Sequence, residues 1–131
     1  MEQFSISARA CESFRILVVR GELDELTAPK LDAAIDNHRD GMPVVVDLSE
    51  TEFVSSAGLH ALMRDRRESL AIVCPPGNVR RVLDIVQADL LLPIFSDLDT
   101  ATQSLTLTYG SQPSLLRRRI SSPKRIRFRT G

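Results

Sequence analysis

Phe4, Ile6 and Ala8 alternate with Ser5, Ser7 and Arg9, a period of two that predicts a half-exposed strand. A turn near Cys11, Glu12 and Ser13 separates it from Phe14-Arg-Ile-Leu-Val-Val19. This second run is denser in β-branched residues and predicts a central strand, ended by Gly21. Residues 22–26 read as a connection. Thr27 is placed to cap a helix, with Pro29 in its first turn, where a missing N–H costs little. Leu31, Ala34, Ile35 and His38 share one face of that helix, and Gly41 stops it. Val44, Val45 and Val46 follow Pro43 as a short buried strand that ends at Asp47 and runs into a polar turn. Beyond Ser55, Ser56 and Gly58, the residues Leu59, Leu62 and Met63 keep helical spacing, and Arg64, Asp65, Arg66, Arg67 and Glu68 carry the chain toward solvent.

Leu70 to Cys74 predicts another buried strand, stopped by Pro75-Pro76-Gly77. Asn78 is placed to cap a helix bearing Val79, Val82, Leu83 and Val86. A last short strand falls between Leu91 and Phe95. Ser96 or Asp97 then precedes a helix with Leu98, Ala101 and Leu105. The predicted order is β-β-α-β-α-β-α-β-α: an α/β fold with a mixed β-sheet of about four to five strands and about four helices, the later strands mostly parallel. No internal repeat is visible.

The chain has 131 residues, 43% of them hydrophobic, which suffices for one domain with a real core. Its formal net charge of zero conceals a division. Residues 1–109 carry ten Lys/Arg against 17 Asp/Glu, a net of −7. Residues 110–131 carry seven basic residues (Arg117, Arg118, Arg119, Lys124, Arg125, Arg127 and Arg129) and no acid. The expected organisation is a folded domain over 1–109 and a basic, flexible C-terminal tail over 110–131. The N-terminus does not resemble a secretory signal, and no apolar run approaches the ~18–20 residues of a membrane span. The expectation is a cytoplasmic protein with no membrane insertion and with Cys11 and Cys74 reduced; a regulatory disulfide between them stays open. Cys74, at the end of an apolar run, reads as a packed small hydrophobe and Cys11 as the more exposed thiol.

Candidate chemistry concentrates at Ser55 and Ser56. A hydroxyl at the start of a helix faces unpaired backbone N–H groups and the positive end of the helix dipole. It either caps the helix or presents a site where a phosphate can be carried. Nothing else forms a catalytic set. Phosphate-binding glycine loops and a Gly-x-Ser-x-Gly elbow are missing. His38 and His60 have neither a carboxylate nor a cysteine at metal-ligand spacing, so no metal or cofactor is expected and the chain does not read as an enzyme.

Three segments, in order, resemble the STAS domain of bacterial anti-sigma-factor antagonists, over roughly residues 3–107. They are Gly21-Glu-Leu-Asp24 with Thr27-Ala28; Asp47-Leu-Ser49 followed by Phe53-Val-Ser-Ser-Ala-Gly-Leu59; and the Pro-Pro turn with Val79-Arg-Arg-Val-Leu-Asp84. The second resembles the family signature Asp-Ser-(Ser/Thr/Ala)-Gly-Leu. Here Ser55 stands at the usual Asp, and Ala57 precedes Gly58.

The resemblance implies a partner-switching protein. An unmodified antagonist binds an anti-sigma factor, commonly an ATP-dependent serine kinase, and so frees a sigma factor. Phosphorylation of the signature serine breaks the complex, and a phosphatase restores it. That serine corresponds to Ser56, with Ser55 as the alternative acceptor. The implied partner-binding residues are Asp24, Asp47, Ser55, Ser56, Ala57, Gly58 and Leu59, with Asp24 and Asp47 near Ser56. Two other roles are open: a STAS subunit supporting a lipid or anion transporter, and nucleic-acid binding through the basic tail.

Overall fold

A computed structural model describes residues 3–11, 14–37, 42–64 and 70–105. The expectations for His38, Gly41, residues 65–68 and the basic tail lie outside these residues. The described chain forms β1 (Ser5–Ala10), β2 (Arg15–Leu23), α1 (Ala28–Asn37), β3 (Val44–Val54), α2 (Ser56–Met63), β4 (Leu70–Val73), α3 (Asn78–Ile85), a single 3-10 turn (Ala88–Leu90), β5 (Ile94–Phe95) and α4 (Leu98–Leu105). The sheet runs β1-β2-β3-β4-β5, with β1 antiparallel to β2 and the other pairs parallel.

Alternation along the strands sends apolar side chains to both faces. Leu17, Val19 and Leu23 of β2 and Val44, Val46 and Leu48 of β3 join Leu31 and Ile35 of α1, Ala61 and Leu62 of α2, and Val79 and Leu83 of α3 in the larger core. Phe14, Ile16, Val45 and Val73 face the other way, toward Ala101 and Leu105 of α4. Three helices therefore cover one face and α4 covers part of the opposite one.

The structure changes two strand boundaries. β3 does not end at Asp47 but runs 11 residues to Val54. The polar stretch is an extended strand with Leu48, Thr51 and Val54 turned inward and Ser49, Glu50, Glu52 and Phe53 outward. Two register shifts against β2 spread the buried positions unevenly, which hid the period of two. β2 likewise passes through Gly21 to Leu23. Gly21 takes φ +95° at one of these shifts, and a Cβ there would stand 3.0 Å from the Phe4 Cα. The buried Thr51 hydroxyl donates to the Val19 carbonyl at 2.8 Å across the irregular pairing.

The caps also differ from expectation. The Thr27 carbonyl accepts from Lys30 and Leu31, but its hydroxyl turns back to the Glu22 carbonyl (2.8 Å), so its side chain does not cap α1. Asn78 is the first residue of α3, preceded by Gly77 with no side-chain cap. Asp97, one of the two residues expected before the last helix, accepts the Thr100 N–H at 2.7 Å. That bond holds its carboxyl below the usual carboxylate range.

Candidate partner-binding surface

The C-terminal ends of β2 and β3 lie side by side, with Leu23 opposite Val54, and the chain turns from each into a helix. Ser55 occupies the corner. Its N–H donates to the Leu23 carbonyl at 2.9 Å, its own carbonyl accepts from Leu59 at 2.9 Å, and its Oγ accepts the Gly58 N–H at 3.3 Å. It is the N-cap of α2 in extended conformation (φ −93°, ψ 179°). The capping task that suits an Asp is thus met by a neutral hydroxyl.

Ser56 is the first residue of α2 and is exposed. Its hydroxyl has no hydrogen-bond partner among the described residues. The two serines therefore separate: one hydroxyl is engaged in holding the helix end and its neighbour is presented to solvent. Ala57 and Leu59 are half-buried. Gly58 is buried, and a Cβ on it would meet the Leu23 carbonyl oxygen at 2.5 Å. Only glycine lets the first turn of α2 rest on the end of β2, which sets where Ser56 stands.

Asp24 is brought to this corner. It follows Leu23 directly, and its Oδ1 accepts the N–H groups of Leu26 (3.0 Å) and Thr27 (3.1 Å), so it builds the turn into α1. Asp47 is not brought there. It lies inside β3, opposite Val73 on β4, roughly 20 Å of strand before Val54. Its side chain is buried, and Oδ1 accepts both the Ser49 N–H (2.9 Å) and the Ser49 hydroxyl (2.7 Å). The expected closeness of Asp47 to Ser56 fails because β3 continues past Asp47 instead of turning.

Two large apolar residues, one just after the end of β2 and one near the end of β3, are exposed, which sequence reasoning did not foresee. Leu26 is 82% exposed in the turn after Asp24, and Phe53 is 50% exposed at the end of β3. A signal was present in each case: each follows a glutamate in a stretch where no periodic apolar face accounts for it. On the far side of β3, Leu48, Ser49, Thr51, Glu52, Cys74 and the Pro75–Val79 segment line a cleft of about 180 Å³. Among the described residues no cluster of His, Cys, Asp and Glu could hold a metal ion, and no helix is long and apolar enough to cross a membrane.

Three solved structures share this architecture. An anti-sigma factor antagonist from Mycobacterium paratuberculosis is 26% identical, with a TM-score of 0.72 over 79% of this chain and 94% of that one. A Thermotoga maritima protein provisionally assigned as an anti-sigma factor antagonist is 18% identical (TM-score 0.68, covering 76% and 93%). The Bacillus cell-fate determinant SpoIIAA in its phosphorylated form is 14% identical (TM-score 0.55, covering 78% and 99%). The last two establish likeness of fold. Residues 5–101 match the family model of the STAS domain. That match spans every strand and both serines, and with the mixed five-stranded sheet and its four helices it places the chain in the STAS-domain family.

Proposed function

We propose that this chain is an anti-sigma-factor antagonist: it binds an anti-sigma factor of the ATP-dependent serine-kinase type, frees a sigma factor, and is switched by phosphorylation of Ser56. One observation carries the reading. Of two adjacent hydroxyls at the head of α2, Ser56 is exposed and unengaged while Ser55 is committed to the Gly58 N–H. A kinase can reach the first without dismantling the helix end. Likeness to an antagonist at 26% identity supports the partner class.

A phosphate on Ser56 adds about −1.5 to −2 charges at neutral pH. The head of the helix tolerates an anion, so the fold survives the modification. A partner lying flush against Ser56 must desolvate the phosphate. A penalty of about 3–4 kcal/mol, reasonable for an unpaired buried charge, weakens binding a few hundredfold. Release then needs no change of fold. Within the proposed surface, Asp24, Ser55, Ala57, Gly58 and Leu59 shape and support the presented serine. Asp47 is left out, because its carboxylate is buried on Ser49.

The test uses the serine-kinase anti-sigma factors of the source organism, purified one by one. Wild type and Ser56→Ala are expected to bind one of them alike, while Ser56→Glu or the phosphorylated protein binds at least a hundredfold more weakly. Mass spectrometry after incubation with ATP is expected to place the phosphate on Ser56 and to find none in Ser56→Ala. Phosphate on Ser55, or equal affinity before and after modification, would overturn the switch.

A further inference from the structure

β3 outruns its neighbour on one side. It pairs with β2 along its whole length, Val44–Val54, but with β4 only over residues 44–47. Pro75 and Pro76 have no N–H to give, so the chain after β4 cannot follow as a ladder partner. Among the described residues no strand lies on the β4 side of residues 48–54, and about 23 Å of strand edge stands open. The gap is the cleft of about 180 Å³, lined by Leu48, Ser49, Thr51 and Glu52 of β3 together with residues 74–79. An open edge offers backbone N–H and C=O groups, the chemistry that recognises another extended chain. The two faces beside it differ. Leu48 belongs to the core that also holds Val79, whereas Glu52 is exposed and has no ion pair among the described residues. A matching strand needs apolar side chains on one face and cations on the other.

The C-terminal sequence Arg125-Ile-Arg-Phe-Arg129 has that pattern: Ile126 and Phe128 alternate with Arg125, Arg127 and Arg129. Five residues extend about 17 Å, within the length of the edge. The charges are complementary, −7 over residues 1–109 against +7 over residues 110–131. Residues 106–124 separate this sequence from the end of α4. Extended, they span up to about 60 Å, more than the roughly 35 Å width of a domain this size. We propose that residues 125–129 dock as an added strand on the open edge of β3, with Ile126 and Phe128 on the side of Leu48 and Val79 and the arginines on the side of Glu52. Attachment to the same chain gives the segment a local concentration on the order of mM, so weak pairing suffices. Such docking needs no anti-sigma factor and stands or falls apart from the antagonist reading.

Hydrogen exchange of the full chain reads the pairing. In wild type, the amides of residues 49–54 that point away from β2 are expected to exchange about tenfold or more slowly than in the double variant Ile126→Ser, Phe128→Ser, which leaves residues 1–109 unchanged. Exchange of these amides within about twofold in the two proteins overturns the added strand. Cross-linking reads the occupant. Arg127→Lys puts an amine on the cationic face of the segment, and a zero-length carbodiimide reagent is expected to join it to Glu52. Mixing isotopically heavy and ordinary full-length chains shows whose segment is bound. Cross-links within one chain, together with the slowed exchange, bear the proposal out. Cross-links only between heavy and ordinary chains make the occupant a second copy and overturn docking within one chain. A cross-link pattern without Glu52 puts the segment elsewhere and overturns the assignment to this edge.

Discussion

The side chains at the head of α2 are fixed by what lies beneath them. Gly58 has no room for a methyl group, because the obstacle is the Leu23 backbone carbonyl and not the tip of a flexible side chain. Gly58→Ala is therefore expected to destabilise the fold by about 1–3 kcal/mol through overpacking, read as a lower urea midpoint with an unchanged slope. The helix head must also shift, so phosphorylation of Ser56 is expected to slow as well. Ser55→Ala removes the acceptor for the Gly58 N–H and is expected to cost about 0.5–2 kcal/mol while leaving Ser56 available to a kinase. The two neighbouring serines thus predict opposite phenotypes: one affects stability and the other affects switching.

At the scale of elements, the long β3 strand makes the site. It carries two more residues than β2 over the paired length, and the two register shifts bend it as it approaches the corner. Val19 has no residue opposite it on β3, and Thr51 answers its carbonyl with a buried hydroxyl at 2.8 Å. Thr51→Val keeps the shape but removes that buried hydrogen bond. The expected loss is about 1–3 kcal/mol, measured by chemical denaturation; Thr51→Ser, which keeps the hydroxyl, is expected to recover most of it. Arg64, at the end of α2, reaches Asp32 (3.6 Å) and Asp36 (3.7 Å) of α1. These exposed pairs tie the two helices that flank the site and contribute little to stability, at most about 1 kcal/mol each.

Across the whole molecule the sheet separates two environments. Cys74 lies in the larger core, whereas Cys11 packs against the core on the opposite face, and both thiols are free. An intramolecular disulfide between them would have to cross the sheet, so the regulatory disulfide left open by composition is excluded within one folded chain. Burial pushes the Cys74 thiol up from 9.0 to about 11. The sign follows: the native state favours the protonated thiol, so this contribution to stability is complete below about pH 9 and is lost as pH rises toward 11. Native protein at pH 8 is expected to alkylate Cys74 only on unfolding, and Cys74→Ala is expected to lose less stability than wild type between pH 9 and 11; fast native labelling would contradict the packing. The order of elements, the apolar faces of α1 and α4, that of α3 apart from Val86, which lies past the helix end and is exposed, and the approximate position of the signature serines follow from the sequence alone, because periodicity and turn residues act locally and report locally. The end of β3, the fate of Asp47 and the division of labour between Ser55 and Ser56 do not. A polar strand with one solvent face looks like a turn until its neighbour β2 supplies the hydrogen bonds, and two adjacent serines look alike until the carbonyl of Leu23 and the N–H of Gly58 claim one of them. Those are contacts between segments distant in the chain, and only folding brings them together.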